Sequence, residues 1–139
     1  MSLSNYYENY LMDNIFRNDA NPATYRLNIL QLSTGTIDGT NDQILADVQT
    51  PPGASGYSLK TVVASDWEVV PSGIGYMAHN KTALTFGTAT GNWGTITHFA
   101  LGENYDFKIG IYGEITPPRS ITNGDTPTFP SGYLKITIQ

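Results

Sequence analysis

Turn-forming residues interrupt this chain so often that few architectures remain open to it. From Thr24 onward, clusters of Gly, Pro, Asn and Asp recur at roughly 8–12-residue spacing, and short runs of β-branched and aromatic residues lie between them. The clearest run follows the turn-rich piece Gly87–Asn92. After Trp93, the residues Thr95, Thr97, Phe99 and Leu101 alternate with Ile96, His98 and Ala100, which is the period of a strand. Apolar groups on both faces predict a strand at the centre of its sheet. Further runs are Tyr25–Leu32, Tyr57–Val63, Trp67–Val70, Ile74–Ala78, Ala83–Phe86, Phe107–Tyr112 and Tyr133 to the terminus, with a short strand over Gln43–Gln49. Pro117-Pro118 is expected to break the run before it, and Pro71-Ser72-Gly73, His79-Asn80-Lys81 and Thr122-Asn123-Gly124-Asp125 are expected turns. No helical pattern alternates with the strands, so a doubly wound α/β sheet is excluded, and no heptads or repeats of longer period occur. The expected fold is mainly β: an antiparallel β-sandwich or jelly-roll-like domain with one N-terminal α-helix.

That helix is predicted over Ser4–Asn18. Asn5 and Glu8 match a capping box, Leu3, Tyr7, Leu11 and Ile15 fall at four-residue spacing, and Asn18 to Pro22 end it. The division expected is a helical arm, residues 1–22, followed by a β-sandwich domain, residues 23–139. Tyr6, Tyr7 and Tyr10 with Leu11 and Phe16 make the arm the candidate protein interface, because tyrosine is favoured where one chain docks on another. Packing on its own domain is the competing role for the same residues.

Charge and composition narrow the partners. A net charge of −5 with seven scattered Lys and Arg speaks against nucleic acid, which needs a basic patch. No apolar run approaches the roughly 20 residues that span a bilayer, and the amino terminus lacks the pattern of a secretion signal, so a soluble, non-secreted protein is expected. No cysteine is present, so disulfides and thiolate metal sites are excluded. Only 14% of residues are charged, which leaves a surface of Thr, Ser, Asn and Gly suited to life in an assembly.

No catalytic constellation emerges, and no catalytic, cofactor or metal residues are assigned. His98 lies mid-strand without a partner nearby in sequence and reads as a structural histidine bonded to a neighbouring hydroxyl or backbone group. His79 reads as a solvated turn residue. Asp38 to Asp42 alternates oxygen ligands like a calcium loop, but the positions that require Gly and Glu hold Gln43 and Gln49. Asp66 and Glu68 flank Trp67 and would share a strand face, the weak echo of a glycosidase pair or a sugar-binding edge. Gly73-Ile74-Gly75 and Gly110-Ile111-Tyr112-Gly113 lack the rest of a phosphate loop and fit close backbone approaches. Asn80-Lys81-Thr82 matches a glycosylation sequon.

Three stretches together resemble a family of small virion proteins of tailed bacteriophages, commonly labelled tail fibre proteins. They are Leu3-Ser4-Asn5-Tyr6 through Asn14-Ile15-Phe16-Arg17; Phe86 with Ala89-Thr90 and Trp93 to Phe99; and Tyr112-Gly113 with Asn123 to Thr126 through Gly132-Tyr133-Leu134. The likeness covers most of the chain, is most specific over Trp93–Phe99, and lapses between Gly35 and Ala78. It implies a non-enzymatic virion structural protein without cofactors, assembled in the host cytoplasm. Because heptads and long stalk repeats are missing, the expectation is a capsid decoration (cement) protein on the outer shell surface. Its partners would be the major capsid protein and copies of itself, with a trimer suggested by shell symmetry alone. The alternative is a tail fibre or baseplate part, among tail proteins, binding host glycans through Trp67 or Trp93.

Overall fold

The computed structural model describes residues 5–17, 26–39, 44–73, 75–104 and 107–138, with side chains except those of residues 5–10 and 138. The chain is mainly β, with antiparallel sheets and, among the described residues, one α-helix at the N-terminal end, consistent with the β-sandwich class. The elements are α1 (Asn5–Phe16), β1 (Ile29–Ser33), β2 (Lys60–Thr61), β3 (Trp67–Ser72), β4 (Gly75–Asn80), β5 (Leu84–Thr85), β6 (Gly94–Gly102), β7 (Ile109–Ile121), β8 (Thr128–Phe129) and β9 (Lys135–Ile138). They belong to two compact units. One comprises Met1–Arg26, Val63–Leu84 and Thr128–Gln139; the other comprises Leu27–Val62 and Thr85–Pro127. The boundary expected after residue 22 falls outside the described residues, and α1 shares its unit with β3, β4 and β9.

In the first unit β4 sits between β3 and β9, antiparallel to both, through pairs such as Val69↔Ala78 and Ala78↔Ile136. Alternation then gives the sheet two faces. Trp67, Ala78 and Asn80 share one and are buried. Helix α1 lies against β4 and β3. Met12 and Phe16, one helical turn apart, are buried, and the Phe16 and Trp67 ring centroids are 4.7 Å apart. Burying each of these large side chains contributes about 1.5–3 kcal/mol.

In the second unit the sheet order is β2-β1-β6-β7, antiparallel throughout, with β6 between β1 and β7 as its two apolar faces require. All five residues of β1 are buried, which explains why its sequence alternation breaks down: both faces are covered. Ile37, Val48 and Ala100 cluster, with Ile109 packed against them.

Three sequence expectations are corrected. Pro117-Pro118 does not end β7. It is an edge strand, and the register slips between Ile96↔Arg119 and His98↔Glu114, so the prolines occupy a bulge where no ladder N–H is needed. Gln43–Gln49 is not a strand over its described part. Asp47 Oδ2 accepts the Ile44 N–H at 3.1 Å and closes a 3₁₀ turn over Leu45–Asp47, leaving only a bridge from Ile44 to Lys108. The strand expected over Tyr57–Val63 shrinks to β2, because the Tyr57 side chain takes the place of a ladder partner: its Oη accepts the Leu32 N–H at 3.0 Å.

Candidate functional site

The N-terminal helix, the candidate interface, divides by environment. Phe16 is fully buried against Trp67 within its own unit, and Met12 beside it is buried as well. Leu11 is 38% exposed, which is high for a large apolar side chain. The side chains of Tyr6, Tyr7 and Tyr10 lie outside the described residues.

Neither tryptophan offers a ring to a sugar. Trp67 is 1% exposed and packed under α1. Trp93 is 2% exposed, donates its indole N–H to the Ser55 carbonyl at 2.7 Å, and meets Tyr57 edge-on at 5.3 Å between centroids. Glycan binding through Trp67 or Trp93 is therefore corrected: both rings are core. Tyr57 is the hub of that cluster, also stacked on Phe86 at 6.3 Å. Burial pushes its phenol up to about 12, outweighing the Leu32 N–H bond that favours the ionised form.

The carboxylates and histidines are occupied locally. Asp66 lies not on a strand but at the end of a 3₁₀ turn, Ala64–Asp66, where Oδ2 accepts the Val63 N–H at 2.9 Å and Oδ1 the Thr82 hydroxyl at 2.8 Å. Glu68 is directly across from His79 on β4, 3.3 Å from its Nε2. The two acids thus serve different partners and do not form a pair about a substrate. His79 is in β4 rather than in a turn, because the ladder with β3 runs on through Trp67↔Asn80 and reversal begins at Lys81. His98 has the structural role expected of it: Nδ1 lies 2.8 Å from the Thr97 hydroxyl and Nε2 lies 4.0 Å from exposed Glu114. Part of the calcium-like loop, residues 40–42, lies outside the described residues, and among the described residues no three His, Asp or Glu side chains gather around a metal-sized space.

Asn80, the sequon residue, is fully buried and cannot present its amide to any modifying enzyme. Its Nδ2 donates to the carbonyls of Thr82 (2.8 Å), Phe129 (3.2 Å) and Pro130 (2.9 Å), while Oδ1 accepts the Leu134 N–H at 2.9 Å. A polar residue at 0% exposure whose amide nitrogen and oxygen both hold partners is a structural pin. The Gly110–Gly113 motif behaves as close approaches: a Cβ on Gly110 would fall 2.4 Å from Leu27 Cδ2, and one on Gly113 would fall 3.0 Å from the Phe99 ring. Gly73 does not: nothing lies within 4 Å of a Cβ there, and its φ of +59° marks a turn residue instead.

Two surface features had no signal in the sequence reading. One is an open slot of about 310 Å³ within the second unit, lined by Ser58, Leu59, Lys60 and Thr61 on one side and Thr85, Phe86 and Gly87 on the other. The other is Phe107, 55% exposed with φ +56°, a left-handed conformation that a bulky residue rarely adopts. Its carbonyl accepts the Leu45 N–H at 2.7 Å, while Glu103 grips Lys108 through two bonds of 3.0 and 3.1 Å, so the flanking backbone holds it there.

The family model "Podophage GP4 fiber I protein gp80" matches residues 2–137. No curated protein and no solved structure matches the chain.

Proposed function

The chain belongs to the podophage GP4 fiber I protein gp80 family, and from that premise we propose that it is a non-enzymatic structural part of the virion's tail fibre apparatus. The family match across nearly the whole chain carries this reading, and the family's name supports the fibre over the capsid cement role that the missing heptads had favoured. A fibre can be assembled from compact β modules as well as from coiled coils, so the absence of heptads weighs less than membership. The locally satisfied Asp66, Glu68, His79 and His98 support a structural role over catalysis.

Attachment runs through the exposed side of α1, with copies of this chain or neighbouring tail proteins as partners. Leu11 supports that assignment, since Met12 and Phe16 are already occupied in their own unit. Deleting the helix would strip Phe16 from Trp67 and disturb that unit, so Leu11→Glu is the sharper perturbation. Gold-labelled antibody on intact virions, viewed by electron microscopy, is expected to mark the tail. Label spread over the head would overturn the fibre reading and restore the cement one. Virions assembled with Leu11→Glu are expected to lose the label while the purified variant keeps wild-type stability.

A further inference from the structure

The slot beside β2 has a chemistry of its own, read from the direction of the backbone. Lys60 is paired with Leu30, and the Val62 N–H donates to the Asn28 carbonyl at 2.9 Å, so the even-numbered residues of this segment face β1. In an antiparallel ladder the alternate residues then face away. The N–H and C=O of Leu59 and Thr61 therefore point out from the sheet edge, towards the slot these residues line. Among the described residues, β2 pairs with β1 alone, and neither Leu59 nor Thr61 has a further partner.

Two outward donor–acceptor sets, one in the edge strand at Thr61 and one just before it at Leu59, are the template that another extended backbone satisfies. The opposite wall, Thr85 to Gly87, is not competing for them: the Phe86 N–H is bonded to the Pro127 carbonyl at 2.9 Å. Side chains add direction. Leu59 is 44% exposed and stands on the same face as Thr61, while Lys60 stands on the other face and lines the slot without an acidic partner among the described residues.

We propose that this slot takes an extended, acidic peptide segment of a partner polypeptide, added as a strand along β2. Its backbone would pair with Leu59 and Thr61, apolar side chains would lie over Leu59, and a carboxylate would meet Lys60. This inference is independent of where on the virion the chain sits.

The test uses the full chain and the soluble peptide acetyl-Val-Glu-Val-Glu-Val-amide, followed by amide chemical shifts. Saturable shifts are expected, confined to residues 58–61 and 85–87. Methylating the backbone nitrogens of the valines, which face β2, is expected to abolish binding, whereas methylating those of the glutamates leaves it intact. Lys60→Glu is expected to weaken binding about tenfold, the scale of one charge-assisted contact. The proposal is overturned if the peptide does not saturate, if both methylated peptides bind alike, or if the shifts fall elsewhere. It is equally overturned if isomaltotriose, but not the peptide, moves the same resonances, since the slot would then be a sugar site.

Discussion

Removing the Asn80 side chain is the most severe single test of how the first unit is held together. Asparagine to alanine at this position removes all four of its side-chain contacts and leaves the Leu134 N–H without its acceptor, while the Pro130 carbonyl keeps the Tyr133 N–H at 3.0 Å. A hydrogen bond contributes about 1 kcal/mol net, and a buried group left unpaired costs about 1–3 kcal/mol. The unpaired Leu134 N–H costs about 2 kcal/mol, and the two amide hydrogens shared among the three carbonyls contribute about 1 kcal/mol each, which brings the expected loss to about 4 kcal/mol. Against a total stability of about 5–15 kcal/mol, that is a large share.

Urea denaturation measures it. Trp67 reports on the same unit, and Trp93→Phe as background removes the other indole. With a slope of about 2 kcal/mol per molar, Asn80→Ala should lower the midpoint by about 2 M. Asn80→Asp should be at least as harmful, because it turns an acceptor towards three carbonyls. A midpoint shift for Asn80→Ala below about 0.5 M would refute the reasoning, since one bond alone is worth about that much.

Other perturbations follow from the same structure. Tyr57 has a folded pKa of about 12, above its ordinary 10, so its contribution is complete below pH 10 and lost as pH rises through 12. Wild type should therefore lose about 2–3 kcal/mol more than Tyr57→Phe between pH 10 and 12, read by urea titration at each pH; parallel curves would count against it. At neutral pH, Tyr57→Phe should cost about 1–2 kcal/mol by orphaning the Leu32 N–H. Gly56→Ala should cost about 1–3 kcal/mol by thermal unfolding, because φ is +85° and a Cβ would sit 3.0 Å from the Thr88 carbonyl. Asp125→Ala removes the acceptor for the Thr122 N–H and hydroxyl, but in an exposed turn, so about 1 kcal/mol is expected and a much larger loss would contradict the solvent-screened reading.

What the sequence revealed and what it concealed divide along a physical line. The central position of β6 was legible because a strand flanked on both sides must bury both faces, and Ile96, Ala100, Phe99 and Leu101 advertise it. The turn at Thr122–Asp125 was legible because Asn-Gly and a following aspartate carry their own local bonds. What failed was whatever a distant partner decides. Pro117 and Pro118 look like a strand end until β7 is known to be an edge with a bulge, where their missing N–H groups have no ladder to break. Asp66 and Glu68 look paired until Thr82 claims one and His79 the other. Trp67 and Trp93 look like sugar platforms because a large aromatic between polar residues carries no local mark of burial, and only Phe16 and Tyr57, far off in sequence, hide them. The same logic bears on the β2 edge. The alternation over Tyr57–Val63 overstates the strand, which is only Lys60–Thr61, yet the outward alternation of Leu59 and Thr61 turns it into a surface with a defined donor and acceptor order. In a chain with so few charges, recognition has to lean on backbone geometry and on hydroxyl and apolar contacts, and the slot beside β2 offers all three.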